Sequence, residues 1–115
     1  MGTQEPTPIR LRVPARAEYV AVLRVAARAV AGRAGCDDDG RSRFQAAAGR
    51  AFFAAIDGAR DDDQVHVSLR VDQDRVQAEV IGPPGSRARL RALTELADGH
   101  DAVDGDGGLR FWIDR

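Results

Sequence analysis

The sequence predicts a two-layer α/β (α+β) sandwich, in which about three helices cover one face of a mainly antiparallel sheet. The segments VHVSLRV (65–71) and RVQAEVI (75–81) alternate apolar and polar residues on either side of a short polar turn, which indicates a β-hairpin. Residues 17–35, and the stretch that ends near Gly58, instead place apolar residues at helical spacing. A chain of 115 residues suits one domain with a single core.

The first strand and two helices follow directly from local patterns. IRLRV (9–13) alternates apolar and basic residues, and Pro14 ends the strand. The first helix, 17–35, closes at Gly32 and Gly35. The second begins at the acidic turn CDDDG, where carboxylates favour a helix N-terminus. One stripe of the first helix is expected to face the core: Tyr19, Val22, Leu23, Ala26 and Val30.

The remaining elements complete the order β-α-α-β-β-α-β. After the hairpin, GPPGS breaks the chain, and RARLRALTELAD (87–98) reads as a short amphipathic helix. GLRFWIDR (108–115) is a closing strand with Leu109, Phe111 and Ile113 on one face. An additional short strand near 100–103 is left open. We expect residues 1–7 to form a loose polar tail and residues 8–115 to form the single domain.

Composition excludes several classes of function. A net charge of −1 argues against a surface built to wrap duplex nucleic acid, although all 17 basic residues are Arg. A lone cysteine, Cys36, allows neither an intramolecular disulfide nor a cysteine-based metal site. No segment approaches the roughly 20 apolar residues of a membrane helix. These features predict a cytoplasmic protein that engages neither nucleic acid nor membrane.

Clustered polar residues offer no strong catalytic or metal site. Asp37–Asp39 and Asp61–Asp63 resemble cation ligands, but consecutive side chains point apart, so we interpret both triplets as caps and solvated turns. DAVDGDGG (101–108) is interpreted as a glycine-rich hairpin turn. His66 and His100 have no second ligand at metal spacing. We therefore expect no metal and no cofactor.

The N-terminal half resembles one family above others. The residues that carry the resemblance are LRVPARAEYVAVLRVAARAVAGRAG, with its Pro-Ala-Arg-x-Glu turn at Pro14–Glu18, the acidic turn and second helix, and the closing GGLRFWIDR. Together they are similar to the anti-sigma factors of the RsbW/SpoIIAB type, which are serine kinases with the Bergerat (GHKL) ATP-binding fold. The resemblance covers about residues 9–115 and implies that fold, here with a reduced lid.

The resemblance also implies an ATP site whose chemistry is missing. In such kinases the second helix carries a catalytic Glu and, four residues on, a Mg²⁺-binding Asn. The Glu position falls here at Ala48 or Gly49, and the Asn position at Phe52 or Phe53. The adenine-binding Asp-x-Gly-x-Gly motif falls on Ile81–Gly85. We therefore expect Gly49, Phe53, Ile81 and Gly85 to mark a degenerate site.

Protein binding is the capacity that such a chain would retain. The family's first helix faces the sigma factor and its anti-anti-sigma antagonist, and an early Arg in that helix contributes to binding. The matching residues form the expected partner-binding set: Arg16, Glu18, Arg24 and Arg28. Arg suits this role because its guanidinium pairs bidentately with carboxylates, although Arg24 and Arg28 could equally be solvated surface charges. Since family members often dimerise, a homodimer is also open.

Three functions follow in order of preference. The first is a non-catalytic, anti-sigma-factor-like module that binds a sigma factor or another partner-switching protein. The second is a divergent but active ATP-dependent Ser/Thr kinase that uses Mg²⁺ with substitute ligands such as Asp57 or Glu79. The third is an unrelated small α/β interaction domain.

Overall fold

A computed structural model describes residues 8–83, 96–103 and 108–115. Strand β1 (Ile9–Pro14) leads through a single 3₁₀ turn (Ala17–Tyr19) into helix α1 (Val20–Arg33) and then helix α2 (Asp38–Ile56). The hairpin of β2 (Gln64–Val71) and β3 (Arg75–Ile81) follows. Strands β4 (Gly99–Val103) and β5 (Gly108–Asp114) complete the described chain, so the additional strand near 100–103 is present.

The five strands form one antiparallel sheet in the order β1-β2-β3-β5-β4. Strands β2 and β3 pair as a hairpin, and β5 lies between β3 and β4. Helices α1 and α2 pack on one face, so the predicted two-layer sandwich is confirmed. Strand β1 forms one edge of the described sheet.

The core lies between the two helices and the sheet. Strand alternation sends Val65, Val67 and Leu69 of β2 towards the helices, where all three are buried. Leu109, Phe111 and Ile113 of β5 do the same, as the sequence predicts. The rings of Phe44 on α2 and Phe111 lie 5.4 Å apart, which ties the helix layer to the sheet.

Helix α1 buries most of the stripe that the sequence predicts, together with two alanines outside it. Its buried residues are Leu23, Ala27, Val30 and Ala31. Of the predicted stripe, Leu23 and Val30 are buried, Tyr19 and Ala26 are partly buried, and Val22 is 47% exposed. The prediction for Val22 is therefore wrong. Small alanines on the buried face let α1 pack closely, and the larger Val22 is left outside.

The acidic triplets act as caps and turns in the structure. Asp37 is the N-cap of α2, and its carboxylate accepts a hydrogen bond of 2.8 Å from the Gly40 amide. In the second triplet, the Asp63 carboxylate accepts a 2.7 Å hydrogen bond from the Arg60 amide. Within the described ranges, no cluster of His, Cys, Asp and Glu could hold a metal ion.

Some predictions fall on residues that the structure does not describe. The tail 1–7, the degenerate-site residue Gly85 and most of the expected helix 87–98 lie outside the described residues. Leu96 and Ala97, at the end of that predicted helix, are partly buried and pack against the core. Among the described helices, none has the length and apolar character required to span a bilayer.

Candidate protein-binding surface on the two helices

Helices α1 and α2 run antiparallel, and arginine side chains lie along the groove between them. We call this groove the seam. Arg28 donates a 3.3 Å hydrogen bond to the side-chain oxygen of Gln45 on α2. One turn away, a Cβ atom added at Gly32 would lie 3.4 Å from Cδ of Arg41. Residues 28 and 32 of α1 thus face residues 45 and 41 of α2, because successive turns of two antiparallel helices meet in opposite order.

Arg24 lies across Gly49 at the next step of the same seam. A Cβ atom added at Gly49 would lie 2.8 Å from Nε and 3.2 Å from Nη2 of Arg24. This approach requires glycine at position 49, because any side chain would push the guanidinium aside. The structure thus joins a predicted partner-binding residue and a predicted degenerate-site residue, which sequence reasoning had assigned to separate sites.

The structure also separates the two possible registers of the second helix. Ala48 and Phe52 belong to the buried core, with Phe52 fully buried. Phe53 is 43% exposed, and its ring meets that of Phe52 edge-on at 6.3 Å between centroids. The pair Gly49 and Phe53 therefore lies towards the outer side of α2. Phe52 instead points into the core.

An apolar strip follows the outer side of α1 beside these arginines. Val22 and Ala29 are exposed, and Val25 is 69% exposed. Their spacing places them along one side of the helix, next to Arg24 and Arg28. We call the residues Val22, Arg24, Val25, Arg28 and Phe53 the helical surface. Apolar residues flanked by arginines are typical of protein-binding patches.

Sequence reasoning missed Val25, Ala29 and Gln45. Val25 and Ala29 fall outside the expected core stripe, and their exposure could have been expected from the neighbouring Arg24 and Arg28. Gln45 became relevant only through its hydrogen bond to Arg28. Residues 41, 45 and 49 are four apart and so share one face of α2. Sequence alone does not show that this face meets α1.

The other predicted partner-binding residues stand at the entry to α1. Arg16 and Glu18 form an ion pair of 3.2 Å, and both side chains are more than half exposed. An ion pair this exposed contributes little to stability. Either residue can therefore pair with a binding partner instead, with little loss of folding free energy.

The remaining degenerate-site residues do not gather at the helical surface. Ile81 is the last residue of β3, and alternation with buried Val80 places it on the sheet face away from the helices. Glu79 lies on that same outer face and accepts a 3.0 Å hydrogen bond from Arg110. Asp57 is the exposed C-cap residue of α2. The two proposed substitute ligands, Asp57 and Glu79, are therefore not brought together.

Polar contacts made by Arg43 connect α2 to the C-terminal end of β5. Arg43 donates to Asp39 at 2.9 Å and to Asp98 at 3.0 Å. The backbone amide of Asp114 donates to the same Asp98 carboxylate at 2.6 Å. That amide, followed by Arg43, lowers the pKa of Asp98. The paired carboxylates in turn raise the pKa of Arg43.

Cys36 follows the end of α1 and is partly buried. Burial raises the pKa of its thiol, with the nearby Asp37 carboxylate acting in the same direction against Arg115. A thiol held protonated is a poor nucleophile.

The class of protein defined by this geometry is a small α+β sandwich with an exposed, arginine-flanked helix layer. The fold is similar to the crystal structure of the RsbU and RsbW domains of Rv1364c from Mycobacterium tuberculosis, with a TM-score of 0.75 at 18% sequence identity. The match covers 96% of this chain and 32% of that chain, so this chain spans about a third of the compared protein. In sequence, the chain matches no protein-family profile and no curated protein. The likeness shows the fold, and an RsbW-like sandwich fits the architecture described above.

Proposed function

We propose that this chain is a non-catalytic, anti-sigma-factor-like module that binds and masks a sigma factor or another partner-switching protein through its helical surface. The proposal joins the fold likeness to an RsbW-containing structure with the chemistry of the two outer helices. Its partner would be a protein that presents carboxylates beside an apolar patch. Binding would be stoichiometric, so release would depend on competition by an antagonist or on concentration.

The position of Arg24 is the observation that carries this proposal. Its guanidinium lies over the bare backbone of Gly49, one of the two positions at which the family resemblance would place the catalytic Glu. A cation at that point would repel Mg²⁺, and a guanidinium group is suited to pairing with a partner's carboxylates. Phe53, one turn further along α2, supplies an apolar surface in place of an amide ligand.

The apolar strip supports protein binding independently of Arg24. Val22 and Val25 lie on the outer side of α1, where both side chains are exposed to water. Exposed apolar surface is unfavourable in water, so its burial by a partner would favour binding. Contact with a partner would remove both side chains from water. Arg24 and Arg28 at the margin would then select a partner with acidic residues in matching places.

The first test is capture of purified sigma factors and anti-sigma antagonists encoded in the same genome. We expect at least one of them to bind, and Arg24→Glu to weaken that binding by at least tenfold while the domain remains folded. Arg33→Glu is the matched control, because it makes the same charge change at the C-terminal end of α1. Equal capture by Arg24→Glu and the native chain would remove the helical surface from the interface.

The second test separates a binding module from a kinase. Thermal unfolding is measured with and without ATP and Mg²⁺ at millimolar concentration. A native-state ligand at a hundredfold excess over its dissociation constant stabilises by about 2.7 kcal/mol, which is readily detected. We expect no magnesium-dependent shift. A clear shift would instead support the ATP-dependent kinase.

A further inference from the structure

A second surface lies on the opposite side of the molecule, where β1 forms an edge of the described sheet. Arg10 and Arg12 of β1 stand opposite Ser68 and His66 of β2, on the sheet face away from the helices. Arg70 lies two residues beyond Ser68 on that face. All three arginines are exposed. We call Arg10, Arg12 and Arg70 the basic edge.

Charge is divided unevenly over this outer face. Across β3, β4 and β5, Arg110 is held by Glu79 at 3.0 Å and by Asp101 at 3.5 Å, so that half is internally neutralised. The outward positions of β1 and β2 carry no acidic residue. Among the described residues, none of the three basic-edge arginines forms an ion pair. Like charges at neighbouring positions repel one another and destabilise a sheet. An anionic partner would relieve this repulsion among the three arginines of the basic edge.

The backbone of β1 adds a directional feature to this charge. The Ala15 amide donates to the Asp63 carbonyl at 2.9 Å, and the same register pairs Val13 with Val65. Because hydrogen-bonded pairs alternate along an antiparallel ladder, Leu11 and Val13 direct their N–H and C=O groups towards β2. Arg10 and Arg12 direct theirs towards the open edge. No described strand lies there to receive them.

Pro14 limits the length of edge that can pair. It occupies an outward-directed position, so its missing N–H removes no hydrogen bond to β2. The same feature stops a further strand from extending past Val13. The available edge, Ile9–Val13, spans roughly 17 Å at about 3.3 Å per residue. Ile9 is 46% exposed on the helix side of this edge and offers it an apolar contact.

We propose that the β1 edge binds an extended acidic segment of a partner protein, which adds to the sheet as an antiparallel strand. Backbone groups of Arg10 and Arg12 would pair with the segment, and their guanidinium groups would meet carboxylates at alternate positions of it. The residues between those carboxylates would cover Ile9. This surface does not depend on the helical surface or on the function proposed for it.

The probe is the peptide acetyl-Glu-Val-Glu-Val-Glu-amide, added to the full chain at low salt. Its affinity is measured by titration, and amide hydrogen exchange is followed by NMR. We expect at least tenfold slower exchange at the Arg10 and Arg12 amides on saturation. The Leu11 and Val13 amides, already bonded to β2, should change little. A peptide N-methylated at each Glu keeps its carboxylates but loses the donors that would face β1, so it should bind at least tenfold more weakly.

Charge-reversal variants complete the test. The double variant Arg10→Glu, Arg12→Glu should weaken peptide binding at least tenfold, whereas Arg33→Glu and Arg24→Glu should leave it unchanged. Equal binding of the N-methylated peptide, or no protection of the Arg10 and Arg12 amides, would overturn strand addition. Binding of a single-stranded oligonucleotide of matched charge in preference to the peptide would also overturn the proposal, since it would assign the basic edge to nucleic acid.

Discussion

Single residues decide what the two outer helices can do, and Gly49 is the clearest case. Its missing side chain admits the Arg24 guanidinium to the surface of α2. Phe53 and Phe52 are neighbours in the chain, yet one is exposed and the other is fully buried. Chemical identity alone therefore says less than which side of α2 each residue occupies.

Replacement of Gly49 by Ala tests how firmly Arg24 is held. The new methyl group would displace only the exposed end of a flexible side chain, while the helix gains about 0.5–1 kcal/mol from losing a glycine. We expect the free energy of unfolding in urea to rise by that amount. Gly32→Ala is the control, because its Cβ would meet Arg41 at an ordinary 3.4 Å. A clear loss of stability confined to Gly49→Ala would mean that Arg24 is rigidly placed.

At the scale of elements, backbone hydrogen bonds define the C-terminal end of α1, and Gly35 in the sequence predicts that end. The Cys36 amide donates to the Ala31 carbonyl and the Gly35 amide to the Gly32 carbonyl, each at 3.1 Å. This pattern is a Schellman motif, and Gly35 adopts φ +87° within it. The motif turns the chain sharply, so that α2 can return antiparallel to α1.

Gly35→Ala should destabilise the protein, because an L-residue in the left-handed region costs about 1–2 kcal/mol. We expect a loss of roughly that size in chemical denaturation, with the fold retained. Gly35→Asn should lose less, since Asn tolerates this backbone conformation better than Ala. Equal stability of the Ala variant and the native chain would contradict the assigned geometry of this helix end.

For the whole molecule, a few polar contacts join segments that are distant in the chain. Asp98 links α2 to the last strand through Arg43 and the Asp114 amide. At the C-terminal end of β5, Arg115 donates side-chain hydrogen bonds to the carbonyls of Ala34 and Asp72. These contacts fix the C-terminal end of β5 against α2, the end of α1 and the β2–β3 turn.

The lowered pKa of Asp98 predicts a specific pH dependence of stability. Because the folded pKa lies below the unfolded value of about 3.9, the carboxylate stabilises the fold above that value. The contribution disappears as the pH falls through the folded pKa. Asp98→Asn should therefore cost about 1 kcal/mol at neutral pH, since a partly exposed charged hydrogen bond is lost.

The measurement is the free energy of unfolding of both proteins between pH 7 and pH 2. Their difference should be constant above about pH 5 and shrink at lower pH. Asp61→Asn, at an exposed turn position, is the control and should cost less than 0.5 kcal/mol. A difference that stays constant down to pH 2 would show that the Asp98 charge does not stabilise the fold.

The sequence by itself determined the two-layer sandwich, the β2–β3 hairpin, both helices and the inward face of β5. Periods of 2 and 3.6 residues, together with glycine and aspartate at element ends, report local geometry directly. The tertiary structure alone decided that Val22 is exposed, and that Gly49 rather than Ala48 lies beneath Arg24. Periodicity shows which residues share a face, but only the packing of α1 against α2 and the sheet determines which face is covered.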